Sequence, residues 1–138
     1  MANLTESPRL VLCVDDDADD REMVCFTIKE IDPSFDVVHA ENGIEAMQLL
    51  SKLKKSSKFP CLIILDINMP KMDGKTTLAE IKKDEDLSKL PVVIFTTYND
   101  PKDAGYYAEH GVEVVTKPSS LHTIKSEVKR LLKHCPDA

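Results

Sequence analysis

Five short apolar runs, each of strand length, recur along the chain and constrain its fold more than any other feature. They are LVLCV (10–14), FDVVHA (35–40), CLIIL (61–65), VVIF (92–95) and VEVV (112–115). Apolar residues follow one another in these runs without alternation, which is typical of strands covered on both faces in a parallel sheet. Segments with apolar residues at helical spacing follow four of the runs, and capping residues mark the start of a helix after the VVIF run. The pattern predicts an α/β fold in which five strands alternate with five helices in a doubly wound sheet with right-handed crossovers.

Two helix starts are marked by polar residues. Asp100 precedes Pro101, which suits an N-cap followed by proline at the first helical position and predicts the start of the fourth helix. Ser119 or Ser120 is available to cap the last helix.

Length and charge limit the classes of function. A chain of 138 residues is expected to form one domain over 1–138, with its core at about 9–133 and no output domain. The net charge of -6 argues against a dedicated nucleic-acid binder. No apolar run reaches the roughly 18 residues that a membrane-spanning helix needs, and no secretory signal is visible, so a cytoplasmic location without membrane attachment is expected.

The four cysteines show no C-x-x-C pairing. Cys13, Cys25 and Cys61 lie inside apolar patterns, and Cys135 lies near the end of the chain. We interpret all four as small hydrophobic core residues.

The residues that follow the predicted strands carry the chemistry. All strands of a parallel sheet end at one edge, and ligands of open α/β folds bind in the crevice there. The polar residues at these strand ends are Asp15, Asp16 and Asp17 after the first strand, Asp66 after the third, Thr96 and Thr97 after the fourth, and Thr116 and Lys117 after the fifth. The sequence therefore predicts that carboxylates, a hydroxyl and an ammonium meet at one rim.

Carboxylates brought close together repel one another unless a cation neutralises them. Mg²⁺ prefers oxygen ligands and is typically held by one or two carboxylates and a phosphate oxygen, so Mg²⁺ is the expected cofactor, with Mn²⁺ as an alternative. Asp15 or Asp16, Asp66 and the backbone carbonyl of Asn68 are the candidate ligands.

Asp66 is also a candidate nucleophile, because a carboxylate can form an aspartyl-phosphate. Phosphoryl transfer depends mainly on positioning and on neutralising the charge of the equatorial oxygens. The cation, the Lys117 ammonium and the Thr96 hydroxyl are the candidate partners of those oxygens. Each residue also has a simpler interpretation: Asp15 to Asp17 as helix caps, Asp66 as part of a turn, and Lys117 as a surface lysine.

The motifs together resemble the receiver domain of two-component response regulators from about Arg9 to Lys133. They are VDDD (14–17), LDINMPKMDG (65–74), LPVVIFTT (90–97) and TKP (116–118). The resemblance implies a flavodoxin-like sheet in the strand order 2-1-3-4-5. It also implies the following roles: Asp66 as phosphoacceptor, Asp15 and Asp16 as the acidic pair that places Mg²⁺, Asn68 as the carbonyl ligand, Thr96 as the switch hydroxyl, Lys117 as the lysine that contacts the phosphoryl group, Gly74 as the loop glycine, and Pro118 as the proline after a cis peptide.

The resemblance further implies a pathway. A histidine kinase or a histidine phosphotransfer protein would donate the phosphoryl group, and the receiver would catalyse its own phosphorylation and later its own dephosphorylation. Phosphorylation would then change how the face formed by the fourth helix, fifth strand and fifth helix binds a downstream effector protein, which the sequence does not name. Self-association through that face is common in the family, so either a monomer or a weak dimer is expected.

Three residues depart from the usual receiver pattern. Val114 occupies the fifth-strand position that usually holds tyrosine or phenylalanine, and valine cannot reproduce the movement of a large aromatic ring. Thr97 stands where alanine or serine is common, and Ser119 where phenylalanine is frequent. These departures concern how phosphorylation would change the face formed by the fourth helix, fifth strand and fifth helix. They do not concern the phosphorylation chemistry.

Three other interpretations remain at this point. A phosphohydrolase of the haloacid dehalogenase type also uses an aspartate after a strand, but Asp19 stands where its D-x-D-x-T motif needs threonine. A flavodoxin-like electron carrier would share the fold, but three aspartates would repel the flavin phosphate. A degenerate receiver that acts only as a scaffold is the third.

Tyr98 is predicted to lengthen the life of the phosphorylated state. It lies two residues after Thr96, and Asn68 lies two after Asp66; in receivers these positions flank the path of attacking water. We expect Tyr98→Ala to hydrolyse its phosphate faster than wild type, measured as loss of phosphorylated protein after donor removal. An unchanged or slower rate would count against this role.

Overall fold

The computed structural model describes residues 9–97 and 100–135. The strands are β1 (Leu10–Val14), β2 (Asp36–Ala40), β3 (Leu62–Leu65), β4 (Val92–Thr96) and β5 (Glu113–Thr116). The α-helices are α1 (Ala18–Ile31), α2 (Gly43–Lys55), α3 (Gly74–Lys83), α4 (Ala104–Glu109) and α5 (Leu121–Leu131). Short 3₁₀ turns cover Leu87–Lys89, Pro101–Asp103 and Leu132–His134.

The five strands form one parallel sheet in the order β2-β1-β3-β4-β5, which confirms the predicted topology. In register, Leu12 of β1 lies between Val38 of β2 and Ile63 of β3. Every residue of β1, β3 and β4 is buried, as expected for strands covered on both faces.

The core lies in two layers, one on each face of the sheet. Alternate residues of β1 point to opposite faces, so Val11 and Cys13 enter one layer and Leu12 and Val14 the other. The first layer packs against α1 and α5, and the second against α2, α3 and α4. The three central strands, β1, β3 and β4, are thereby buried between helices on both sides, whereas β2 and β5 at the edges are partly exposed. Within the described ranges, no helix combines the length and apolar character that a bilayer crossing demands.

Side-chain caps define where the helices begin. The caps that accept a hydrogen bond from a backbone N–H in the first turn are Asp17, Asn42, Asp73, Asp100 and Ser120. Asp100 caps the 3₁₀ turn that leads into α4, and Ser120 rather than Ser119 caps α5. Among the three aspartates after β1, the cap interpretation is correct for Asp17.

Two of the four cysteines form a disulfide, which the interpretation of the cysteines as small core hydrophobes did not include, although both lie in or against the core. Cys61, just before β3, is bonded to Cys135, which follows the last 3₁₀ turn. They are 74 positions apart in sequence, and only the return of the chain after α5 brings their Cα atoms to 5.0 Å. Cys13 and Cys25 are free, and burial raises the pKa of the Cys13 thiol to about 12. Cys13 lies in the core as predicted, whereas the same prediction was wrong for Cys25, which is only half-buried and belongs to neither core layer.

The disulfide predicts a thiol count and a loss of stability on reduction. In denaturant, alkylation of non-reduced protein should label two cysteines, and four after reduction, measured by intact mass. Reduction, or Cys61→Ser, should lower the free energy of unfolding by about 2–5 kcal/mol, because the unfolded chain loses a long-range constraint. Urea unfolding with and without reductant measures this loss.

The matched control is Cys25→Ser, which removes a free thiol. This variant should keep the same dependence of stability on reductant as wild type. Four alkylated cysteines in the non-reduced protein, or equal stability with and without reductant, would contradict the pairing.

Candidate functional site

Backbone hydrogen bonds to neighbouring strands continue one residue past three of the strands and hold the site residues in position. The N–H of Asp15 donates to the Ala40 carbonyl at 3.1 Å, and that of Asp66 to the Val14 carbonyl at 2.9 Å. The N–H of Lys117 donates to the Thr96 carbonyl at 2.7 Å. These residues therefore leave the sheet from backbone that is still held by it.

Three carboxylates converge at this edge. Asp15, Asp16 and Asp66 each offer an oxygen, and the three oxygens lie within 4.8 Å of one another. Asp15 and Asp66 are buried, whereas Asp16 is exposed. A set of oxygen donors with one side open to solvent suits a hard divalent cation that retains water ligands, so the residues fit the expected metal.

Lys117 lies at the centre of the acidic residues. Its Nζ is 2.6 Å from Asp15 Oδ2, 2.8 Å from Asp20 Oδ2 and 3.6 Å from Asp66 Oδ2. Its side chain is only 10% exposed. The structure thus places a single ammonium among three carboxylates, one of which, Asp20, the strand-end pattern did not include.

Burial and charge oppose each other in this cluster. Burial raises the pKa of Asp15 to about 6, although hydrogen bonds from the Lys117 ammonium and the Asp17 N–H favour its charged form. Burial also acts against the Lys117 ammonium, but hydrogen bonds to Asp15 and Asp20 and the charge of Asp66 outweigh it and raise the lysine pKa. A second cation near Asp15 would favour its ionised form.

The loop between β3 and α3 is folded tightly against Asp66. Asp66 Oδ1 accepts a hydrogen bond from the Ile67 N–H at 2.8 Å, and the Gly74 N–H donates to the Ile67 carbonyl at 2.8 Å. A Cβ at Gly74 would overlap the Asp66 carbonyl oxygen and lie 2.6 Å from Ile67 Cα. Lys71 in the same loop has φ +65°, a left-handed conformation uncommon outside glycine. Gly74 therefore permits the close approach that orients Asp66.

Thr96 and Asn68 lie beside one another at the same edge. Thr96 is fully buried, and the Asn68 side-chain amide lies 3.5 Å from its hydroxyl oxygen. The predicted role of the Asn68 carbonyl as a metal ligand stays a prediction. Thr97 is exposed, and Tyr98 lies outside the described residues.

The structure also describes two residues linked to the receiver resemblance, Val114 and Pro118. Val114 in β5 is half-buried and packs on the face that holds Tyr107 of α4. The prediction of a cis bond before Pro118 was wrong, because the described residues contain no cis peptide. Lys117 makes its contacts from a trans bond, which X-Pro sequences favour by about 0.5–1 kcal/mol.

Sequence reasoning missed two residues of α1 that contact the site. Asp20 bonds Lys117, and the Arg21 guanidinium donates to the Asp15 backbone carbonyl at 2.7 Å. The only signal for Asp20 was its place in the first turn of the helix, where acidic residues are common for helix-dipole reasons. No local pattern indicates the contact of Arg21.

A family comparison decides what kind of domain carries this site. The family model of the response regulator receiver domain matches residues 11–129. The chain is a response regulator receiver domain. Its five-stranded flavodoxin-like sheet is that of this family, and the haloacid dehalogenase and flavodoxin interpretations are not supported.

The receiver is similar to both single-domain and longer proteins. It is 34% identical to the response regulator Rcp1 of Synechocystis sp. over 124 residues, which is 88% of this chain and 84% of Rcp1. It is 34% identical over 128 residues to the sensor histidine kinase CheAY of Helicobacter pylori, covering 92% of this chain but only 15% of CheAY. It spans half of the Haemophilus influenzae CpxR homolog.

Solved structures agree with the fold. The phosphorylated cyanobacterial phytochrome response regulator RcpA matches with a TM-score of 0.83 at 28% identity, over 95% of this chain and 100% of RcpA. The Mn²⁺-bound form of Rcp1 matches with a TM-score of 0.78 at 32% identity, over 89% of this chain and 91% of Rcp1. Receiver domains bind Mg²⁺ or Mn²⁺ through an acidic cluster of the kind found here.

Gly74→Ala should destabilise the receiver, because the added methyl group forces the loop away from the Asp66 backbone. We expect a loss of about 1–3 kcal/mol in the free energy of unfolding, measured by urea denaturation. The matched control is Gly105→Ala in α4, where a Cβ meets open space. The control should gain up to about 1 kcal/mol from helix propensity. Equal stabilities of Gly74→Ala and wild type would contradict the close approach.

Proposed function

We propose that this receiver accepts a phosphoryl group on Asp66 in the presence of a divalent cation and signals by binding another protein. The observation that carries the proposal is the convergence of four strand ends, which brings Asp15, Asp66, Thr96 and Lys117 to one edge of the sheet. Lys117 Nζ at 3.6 Å from Asp66 Oδ2 places a cation beside the proposed nucleophile.

In the proposed reaction, an Asp66 carboxylate oxygen attacks the phosphorus atom of the donor. A new P–O bond forms, and the bond from phosphorus to the leaving group breaks with its electron pair going to that group. The Lys117 ammonium stabilises the charge on the phosphoryl oxygens, and the buried Thr96 hydroxyl is the candidate switch that senses the bound group. The fixed backbone of Asp66 supplies the orientation that this transfer needs.

Asp15, Asp16 and Asp66, with the Asn68 carbonyl, are the residues that would hold Mg²⁺, or Mn²⁺ in its place. When bound, the cation neutralises charge on the acidic cluster and on the phosphoryl group. The oxygen-only donor set supports this assignment, and Rcp1 has been solved with Mn²⁺.

The proposed donor is a histidine kinase or a histidine phosphotransfer protein in the cytoplasm. Because the similar protein RcpA is a phytochrome response regulator, a phytochrome-type kinase is the first donor to test. The chain spans 84% of Rcp1, which supports action as a single-domain regulator that docks on an effector protein. The face formed by α4, β5 and α5 is the proposed docking surface, and the receiver is proposed to be a monomer or a weak dimer through that face.

Asp66→Asn should abolish phosphorylation by acetyl phosphate, because the amide is not a nucleophile. Wild type in Mg²⁺ should gain the mass of one phosphoryl group, measured by intact mass spectrometry, and should gain none in EDTA. The matched control is Asp19→Asn, which removes an exposed carboxylate near the same edge and should be labelled like wild type.

Each deviating outcome has a distinct meaning. Equal labelling of wild type and Asp66→Asn would refute the assigned nucleophile. Labelling in EDTA would refute the need for a divalent cation. Unlabelled wild type would favour the scaffold interpretation of a degenerate receiver.

A further inference from the structure

Asp20 makes a contact with Lys117 that no role in the proposed reaction explains. Its Oδ2 accepts a hydrogen bond from Lys117 Nζ at 2.8 Å. The other close acceptor is Asp15 at 2.6 Å, whereas Asp66 at 3.6 Å lies beyond hydrogen-bond distance. Two carboxylates on the α1 side therefore hold the Lys117 ammonium. It lies beside Asp66, the proposed nucleophile, without a hydrogen bond to it.

The backbone of Asp20 is itself fixed. Its N–H donates to Asp17 Oδ1 at 3.1 Å, so the first turn of α1 is locked by its cap. Lysine, in contrast, carries its charge on a flexible four-carbon stem and loses rotamer freedom when it is held in one place. An acceptor whose backbone is fixed on α1 can hold the Lys117 ammonium in place before the reaction begins, so that this freedom is already lost when the reaction starts.

Space for a misplaced lysine lies next to the pair. A partly open cavity of about 250 Å³ lies between α1 and α5, lined by Asp20 and Lys117 and by the apolar side chains of Met23, Phe95 and Ile124. Without the Asp20 carboxylate, the Lys117 side chain has room to leave the site edge.

We propose that Asp20 is a positioning residue that holds the Lys117 ammonium where it can reach a phosphoryl group on Asp66. The inference rests on the proposed function for its reaction, but the contact itself can be tested without phosphorylation. Asp20 is about one-third exposed, so its loss should change the fold stability little.

Removal of the Asp20 carboxylate would change both the charge of the site and the position of Lys117. These two effects change the phosphorylation rate in opposite directions. Acetyl phosphate is an anion, so removing one negative charge from the site would by itself speed its reaction. Loss of positioning would slow the reaction. We expect Asp20→Ala to be phosphorylated about fivefold more slowly than wild type, as for loss of one partly exposed charged hydrogen bond.

Two variants isolate the hydrogen bond. Asp20→Asn keeps an oxygen acceptor and should stay within about twofold of the wild-type rate. Asp19→Ala removes a carboxylate from the same helical turn, where Asp19 has no bonded partner among the described residues, and should be no slower than wild type. A rate for Asp20→Ala equal to or above wild type would overturn the proposal while leaving Asp66 as phosphoacceptor.

A double-mutant cycle tests whether Asp20 acts through Lys117. In a Lys117→Met background, Asp20→Ala should cause no further loss of rate. The same fivefold loss in that background would show that Asp20 acts by another route and would overturn the proposal.

The ammonium resonance of Lys117 provides a readout independent of the reaction. We expect a slowly exchanging side-chain NH₃⁺ signal in wild type, assigned by its absence in Lys117→Met, that persists in Asp19→Ala and is lost in Asp20→Ala. A signal unchanged in Asp20→Ala would overturn the positioning role even if wild type cannot be phosphorylated.

Discussion

The site depends on backbone hydrogen bonds that extend the parallel sheet one residue beyond its strands. The Asp66 N–H reaches the Val14 carbonyl, and the Lys117 N–H reaches the Thr96 carbonyl. Side chains at these positions leave backbone that is hydrogen-bonded to the neighbouring strand, and β1, β3 and β4 are in addition buried between two layers of helices. Phosphoryl transfer requires precise positioning of the reacting groups, and here the hydrogen bonds of the sheet position the backbone from which those side chains extend.

The electrostatics of the edge show why one lysine is not enough. Burial raises the pKa of Asp15 even though Lys117 Nζ lies 2.6 Å away. Three carboxylates, those of Asp15, Asp20 and Asp66, lie within 3.6 Å of that one ammonium, so it does not neutralise all of them. A divalent cation would complete the balance, and the oxygens within 4.8 Å of one another offer it a place. Gly74 contributes sterically, because its missing side chain lets the β3–α3 loop lie against Asp66.

Much of the fold could be predicted because its signals are local. The LVLCV run became β1 without a change of bounds, and Ser120 is the one of the two predicted serines that caps α5. Asp100 is a cap as predicted, but of the 3₁₀ turn that leads into α4. Asp66 could be found because an aspartate directly after a buried run must lie at the strand end. Asp20 could not, since a carboxylate in a first helical turn usually needs no partner beyond the helix. The cis bond expected before Pro118 came from family resemblance alone, and the trans bond already lets Lys117 reach its partners.

The sequence by itself determined which segments are strands and helices and which polar residues follow each strand, because these depend on neighbours a few positions apart. Only the tertiary structure decided that Lys117 bonds both Asp15 and Asp20, that Val114 packs on the face that holds Tyr107, and that Cys61 meets Cys135. These pairs lie on different elements or far apart in sequence. Their distances follow from how the helices pack on the sheet, and no local pattern records them.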